Sequence, residues 1–176
     1  RYLTQAKEQC PEFIVKDISQ GLSAVYTELI QTHSVRSLGF EDREVTYAVY
    51  KGMKSKFPYC TLVPIGDLIS SLRIIKDPEE LEAMEKAAHI GDLAFTDILD
   101  VIRPGISERE VAAQLEYSMK KNGASGPSFE TIVASGYRSS MPHGTSTDKP
   151  IESGDLVVLD FGCIYDGYCS DMTRTV

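Results

Sequence analysis

The sequence lacks the features that mark membrane-spanning, secreted and nucleic-acid-binding proteins. It has no run of about 18 uncharged apolar residues, and its N-terminus has neither a basic region nor an apolar signal core. It also has no basic cluster, and 26 acidic against 18 basic residues give a net charge of −8, which argues against a nucleic-acid-binding surface. We therefore expect a cytoplasmic protein that binds neither membranes nor nucleic acids.

Cysteine is scarce, and its spacing gives no sign of a disulfide framework or a zinc site. The four cysteines, Cys10, Cys60, Cys163 and Cys169, include no Cys-x-x-Cys pair. Free thiols are the better interpretation, and they suit a reducing compartment.

The chain does contain enough apolar material for a core, since 42% of its 176 residues are hydrophobic. It begins at Arg1 without a methionine and stops at Val176 inside a strand-like alternating run. We therefore expect part of a longer protein.

Strand-like and helix-like patterns alternate over the first part of the chain. The apolar run 13–15 reads as a short strand, and apolar spacings of three and four predict a helix that starts at Leu22. After Gly39, which reads as a break, a second helix is expected over about 42–56, followed by another short strand. This alternation predicts part of a small α/β domain over residues 1–70.

Two helix starts open the rest of the chain. Asp77 followed by Pro78 fits an N-cap and a first helical position, and residues 107–110 form a capping box. The first of these helices should bury an apolar stripe that includes Leu81 and Met84.

The most informative stretch is residues 155–175, where two strand-like runs flank Asp166-Gly167. This dipeptide is the strongest local signal for a two-residue hairpin turn, because both turn positions need φ > 0. In the register that the turn sets, Asp160 lies opposite Thr173 and shares a face with Asp171. Two carboxylates so placed could bind a divalent cation, but for an arbitrary pair of aspartates a solvated hairpin face is the preferred interpretation, and the spacing alone is a weak signal.

A histidine lies in the loop before this hairpin. Pro142 restricts the backbone before His143, and Gly144 removes bulk after it, so the ring could be presented to a cavity. On base rates a single loop histidine is more often just exposed to solvent.

Together these segments resemble the pita-bread metallopeptidases, specifically their Xaa-Pro peptidase branch, aminopeptidase P and prolidase. Residues 72–80 look like the start of the family's catalytic domain, residues 142–144 like its active-site histidine motif, and residues 160–175 like its first metal-binding hairpin. The resemblance covers the whole chain. It implies an α+β protein: part of a small α/β N-terminal domain over 1–70, and the first part of the pita-bread fold over 71–176.

The resemblance also implies a function. The complete protein would hydrolyse the peptide bond before proline, with Asp160 chelating one of two divalent metal ions, Asp171 bridging both, and His143 contacting the substrate carbonyl or the tetrahedral intermediate. Mn²⁺ or Co²⁺ would be the metal, peptides with proline in second position the substrates, and a homodimer the assembly. The family's other ligands, a histidine and two glutamates, would lie beyond Val176. The present chain should therefore bind metal weakly or not at all and be inactive alone.

Four alternatives stay open. The chain could belong to a pita-bread protein that only binds or scaffolds, but such a protein has no need for the two aspartates. A creatinase-like hydrolase works without metal and leaves the same aspartates unexplained. A methionine aminopeptidase shares the hairpin but usually lacks the domain over 1–70. Within the Xaa-Pro branch, the sequence does not separate aminopeptidase P from prolidase.

Overall fold

The computed structural model describes residues 2–176, and the chain divides between Ile75 and Lys76 into two units. Both units combine helices and strands, which confirms the predicted α+β class. The bounds 1–70 and 71–176 stay a prediction for the domains. Among the helices within residues 2–176, none is both long and apolar enough to cross a membrane.

The first unit is built around a small parallel sheet. Its elements are α1 (Leu3–Gln9), α2 (Leu22–Thr32), β1 (Ser37–Phe40), α3 (Tyr47–Lys56), β2 (Thr61–Pro64) and α4 (Leu68–Ile74). Strands β1 and β2 pair in parallel, with Ser37 opposite Thr61, and α3 forms the crossover between them. The helix that was predicted from Leu22 is confirmed.

Two local predictions in this unit are wrong. Residues 13–15 form no strand, and the side chains of Phe13 and Ile14 are 76% and 88% exposed, because three apolar residues without a strand partner do not make a sheet. Gly39 lies inside β1 instead of ending an element. A Cβ atom at Gly39 would collide with the side chain of Ile65, so glycine permits a close approach there.

The second unit sets two helices against two antiparallel sheets. Its elements are α5 (Pro78–Leu99), α6 (Glu108–Lys121), β3 (Gly126–Pro127), β4 (Ile132–Ser135), a 3₁₀ helix (Gly136–Ser140), β5 (Val157–Phe161), β6 (Cys163–Tyr165), β7 (Tyr168–Cys169) and β8 (Met172–Thr175). One sheet has the order β3-β6-β7 and the other β4-β5-β8. Strand β5 runs almost directly into β6, and β7 runs almost directly into β8. The two arms of one long hairpin therefore contribute strands to both sheets.

Both predicted helix starts are present. Asp77 caps α5 with Pro78 at its first turn, and Ser107 and Glu110 form the capping box of α6. The predicted stripe of α5 is wrong at its N-terminal end, since Leu81 is 54% exposed. The helix instead buries a face of two isoleucines and four small residues, and the small residues allow it to lie close to the sheet: Ala83, Ala87, Ile90, Gly91, Ala94 and Ile98.

The hairpin has the predicted geometry. Asp166 and Gly167 have φ of 47° and 82°, as a turn with both central residues in the left-handed region requires. Tyr165 pairs with Tyr168 directly beside the turn, and further along Asp160 pairs with Thr173. The turn therefore sets the register of the site-bearing strands.

Gly162, which joins β5 to β6, is a point where the hairpin tolerates no side chain. A Cβ atom there would collide with the backbone carbonyl of Ser170, which lies between β7 and β8 on the facing arm of the hairpin. We expect Gly162→Ala to lower the free energy of unfolding by roughly 1–3 kcal/mol, measured by urea titration. Gly126→Ala is the control, because the same change in β3 meets nothing within 4 Å. Equal stability of the two variants would contradict this account of the hairpin.

Candidate functional site

The three residues that the sequence singled out, His143, Asp160 and Asp171, line one cavity of about 350 Å³ in the second unit. The structure thus brings together a loop histidine and two aspartates from a hairpin. The cavity is completed by Phe129, Glu130, Ile132 and Thr145.

Asp160 reaches the cavity because of strand alternation. Val157, Leu159 and Phe161 of β5 are 2%, 0% and 0% exposed and face the core, so Asp160 lies on the opposite face. Its Oδ1 accepts a hydrogen bond of 2.9 Å from the hydroxyl of Thr173, its cross-strand partner. One carboxylate oxygen is therefore fixed, and Oδ2 has no hydrogen bond within the described chain.

Asp171 lies between β7 and β8, and the residue before it is held firmly. Ser170 is buried, its carbonyl accepts a hydrogen bond of 2.7 Å from the hydroxyl of Ser128, and its Oγ accepts one of 3.1 Å from the backbone N–H of Cys163. The Asp171 side chain itself is exposed to solvent. The backbone is thus fixed where the carboxylate enters the cavity.

His143 is presented by a loop that lies against β4. Gly144 is buried, and a Cβ atom there would lie 3.2 Å from the Cβ of Ala134 and 3.3 Å from the carbonyl oxygen of Arg138. Glycine therefore lets the backbone lie close to the strand, while the neighbouring imidazole is exposed at the cavity. The ring is thus both exposed to solvent and part of the cavity wall, and its contact with a substrate stays a prediction.

The site is acidic, with Glu130, Asp160 and Asp171 around one small cavity. Carboxylates around one cavity favour a cation over an anion, and hard oxygen ligands suit Mn²⁺, Mg²⁺ or similar ions. Within residues 2–176, however, no group of three or more His, Cys, Asp or Glu side chains is arranged to hold a metal ion. Carboxylate oxygens suit such an ion chemically, and the metal-ligand roles of Asp160 and Asp171 stay a prediction.

Sequence reasoning missed the other side chains of the cavity. Ile132 pairs directly with Asp160 across β4 and β5 and so shares its face, but this pairing joins distant parts of the chain and has no local sequence signal. Glu130 lies two residues before Ile132 and outside β4, so strand alternation does not place it. Phe129 and Thr145 carry no local sequence signal, because their place depends on how two loops fold back.

The sequence also gave no sign of a buried carboxylate behind the histidine loop. Glu108, the first residue of α6, is 0% exposed. Its two oxygens accept hydrogen bonds from the backbone N–H and hydroxyl of both Ser135 and Thr147, and form an ion pair with Arg138. Burial by itself raises the pKa of Glu108, but the hydrogen bonds from Thr147 and Ser135 outweigh burial and hold the pKa below its ordinary value.

The four cysteines carry no disulfide, as expected, with Cys60 and Cys163 buried and Cys10 and Cys169 exposed. Burial raises the pKa of the Cys163 thiol. The thiols lie outside the cavity of His143 and the aspartates.

Known proteins resemble this chain over its full length. A 46% identical relative, an uncharacterized peptidase of Bacillus subtilis, matches all of the chain and 50% of its own length. The Xaa-Pro dipeptidase of Pyrococcus furiosus is 48% identical over 81% of the chain and 41% of its own length. The crystal structure of the X-Pro aminopeptidase of Thermotoga maritima covers the whole chain with a TM-score of 0.92 at 38% identity, using 49% of its own chain.

The chain therefore spans about half the length of the curated relatives that it matches. The likeness to solved prolidase and aminopeptidase structures confirms the predicted fold, an N-terminal domain followed by the first part of the pita-bread domain. Residues 1–75 match the creatinase/prolidase N-terminal domain. Residues 82–176 match metallopeptidase family M24, and the chain belongs to this family.

Proposed function

We propose that the complete protein is a metal-dependent peptidase that cleaves the bond before proline. The observation that carries the proposal is the meeting of His143, Asp160 and Asp171 in one cavity of an M24 chain. Relatives named Xaa-Pro dipeptidase and X-Pro aminopeptidase support this substrate class. Retention of both aspartates argues against a protein that only binds or scaffolds.

In this proposal Asp160 and Asp171 hold two divalent cations, Mn²⁺ or Co²⁺, together with ligands that residues 2–176 do not supply. Carboxylate oxygens are the right donors for such ions, and Thr173 fixes Asp160 in place. When bound, the ions polarise the scissile carbonyl and activate water. Two carboxylates alone make an open site, so the present chain should bind metal weakly and be inactive by itself.

The chain's own residues would orient the substrate. The His143 ring is exposed at the cavity and can donate a hydrogen bond as negative charge grows on the carbonyl oxygen, an effect worth about 2.7–4 kcal/mol for a well-placed donor. Phe129 and Ile132 give the same cavity an apolar wall. A tertiary amide before proline has no N–H, so such a wall suits recognition by ring shape.

The proposal extends to assembly and location. A homodimer is proposed for the complete protein, and a cytoplasmic location is proposed from the unbonded cysteines and the composition. Size-exclusion chromatography with light scattering tests the first proposal, and fractionation of the source cells tests the second.

The test of the function is peptide hydrolysis by the complete protein with added Mn²⁺. We expect Xaa-Pro peptides to be cleaved and the matching Xaa-Ala peptides to be cleaved much more slowly. A dipeptide preference would indicate a prolidase, and cleavage of Xaa-Pro-Yaa tripeptides an aminopeptidase P. Absence of cleavage, or equal rates for proline and alanine peptides, would contradict the proposal.

A further inference from the structure

The loop that carries His143 is tied to the fold at both of its ends by one buried side chain. Glu108 accepts from Ser135 before the loop, at 2.8 Å from its backbone N, and from Thr147 after it, at 3.0 Å from its backbone N. A buried carboxylate with this many donors stays ionised and holds them tightly. The two ends of segment 136–146 are thereby fixed to the first turn of α6.

Arg138 connects Glu108 to the interior of the loop by hydrogen bonds. Its side chain is only 15% exposed, and its Nε donates to Glu108 Oε2 at 3.1 Å. Its Nη2 donates to the carbonyl oxygen of Thr145 at 2.7 Å. The N–H of Thr145 in turn donates to the carbonyl oxygen of His143 at 2.9 Å. The contacts thus form a continuous chain from Glu108 to the backbone of His143.

We propose that Arg138, held by Glu108, is a positioning residue that fixes the backbone of His143 at the cavity with Asp160 and Asp171. Its consequence for catalysis rests on the function proposed above, whereas its consequence for the loop does not. Arginine suits the role because separate N–H groups of one planar guanidinium can donate to the carboxylate and to the carbonyl at the same time. Lysine has a single ammonium group on a shorter reach and cannot hold both acceptors in this geometry.

The competing explanation is that Arg138 only stabilises the fold and does not position His143. A neighbouring ion pair supplies the matched control. Lys149 donates to Ser135 Oγ at 3.0 Å and to Asp155 Oδ2 at 2.9 Å, and its side chain is 19% exposed. This pair shares Ser135 with the Glu108 network, but the hydrogen bonds of the Lys149 side chain go to Ser135, Pro150 and Asp155 and none goes to segment 136–146. Arg138→Lys and Lys149→Met therefore each disturb a largely buried ion pair in the same region, and only Arg138 lies within the loop.

The experiment compares these two variants of the complete protein in three measurements. Hydrogen exchange of peptides covering 139–147 is followed without metal, melting temperature reports stability, and kcat and KM are measured on an Xaa-Pro peptide with Mn²⁺. For Arg138→Lys we expect exchange in the loop to be roughly tenfold faster, kcat to fall about 10- to 100-fold, and KM to change little. For Lys149→Met we expect a lower melting temperature with wild-type kcat and loop exchange.

Unchanged loop exchange in Arg138→Lys would overturn the proposal. Equal losses of kcat in the two variants at equal losses of stability would also overturn it, since that result is expected if Arg138 only stabilises the fold. If the wild-type protein cleaves no Xaa-Pro peptide, the proposed function fails, and loop exchange without metal still decides whether Arg138 positions the loop.

Discussion

Asp171→Asn is expected to reduce Xaa-Pro hydrolysis by the complete protein at least about 1000-fold, which corresponds to about 4 kcal/mol of activation free energy. The amide keeps the size of the carboxylate but loses its charge and one oxygen donor. If Asp171 bridges two cations, neither is then held well. Asp160→Asn should cause a similar or smaller loss. The measurement is kcat/KM on an Xaa-Pro dipeptide at saturating Mn²⁺.

The same hairpin contains the matched control. Asp166 lies at the turn with φ of 47° and does not line the cavity. Asparagine tolerates the left-handed region, so Asp166→Asn makes the same chemical change without strain. We expect wild-type activity from this variant. Wild-type rates in Asp160→Asn and Asp171→Asn as well would remove both aspartates from the mechanism.

The second large effect is expected on stability, from Glu108→Gln. The amide leaves Arg138 without its counter-charge in a poorly solvated place, and its NH₂ group points donors at the N–H groups of Ser135 or Thr147. Removing one partner of a buried ion pair typically costs 3–5 kcal/mol, so we expect the free energy of unfolding at pH 7 to fall by about 3 kcal/mol. Urea unfolding measures this loss. Glu110→Gln is the control, because the carboxylate of Glu110 is exposed and only caps α6.

Acidification should reduce the difference between Glu108→Gln and the wild type. The folded state lowers the pKa of Glu108, so below the ordinary value of 4.5 the unfolded chain binds a proton that the folded chain does not. The contribution of Glu108 is therefore present above the ordinary pKa of 4.5 and is lost as the pH falls through the lower, folded-state pKa. A difference in unfolding free energy that stays constant from pH 7 down through this range would contradict the role assigned to the ionised carboxylate.

How much of the site the sequence predicts depends on how local its signals are. Asp166 and Gly167 define the turn by themselves, and the register that they set places Asp160 opposite Thr173, as the structure has it. The helix starts at Asp77 and Ser107 are equally local. The prediction of a strand over residues 13–15 is wrong, because a run of three apolar residues does not show whether a partner strand exists.

Glu108 shows why the rest of the site could not be predicted. An acidic residue in the first turn of a helix is fully explained by the helix dipole, so the sequence gives no reason to expect burial. Its burial arises because Ser135 and Thr147, far along the chain, fold back over the start of α6. Contacts of this kind depend on tertiary structure, and hydrophobic periodicity does not report them.

Manganese binding tests the central claim most directly, because it asks whether Asp160 and Asp171 hold metal without relying on turnover. Isothermal titration of the complete, metal-free protein with Mn²⁺ would compare the wild type with Asp160→Asn, Asp171→Asn and the control Asp166→Asn. The account predicts two bound ions for the wild type and the control, loss of one ion in Asp160→Asn, and loss of both in Asp171→Asn. Wild-type stoichiometry and affinity in Asp160→Asn and Asp171→Asn would contradict it.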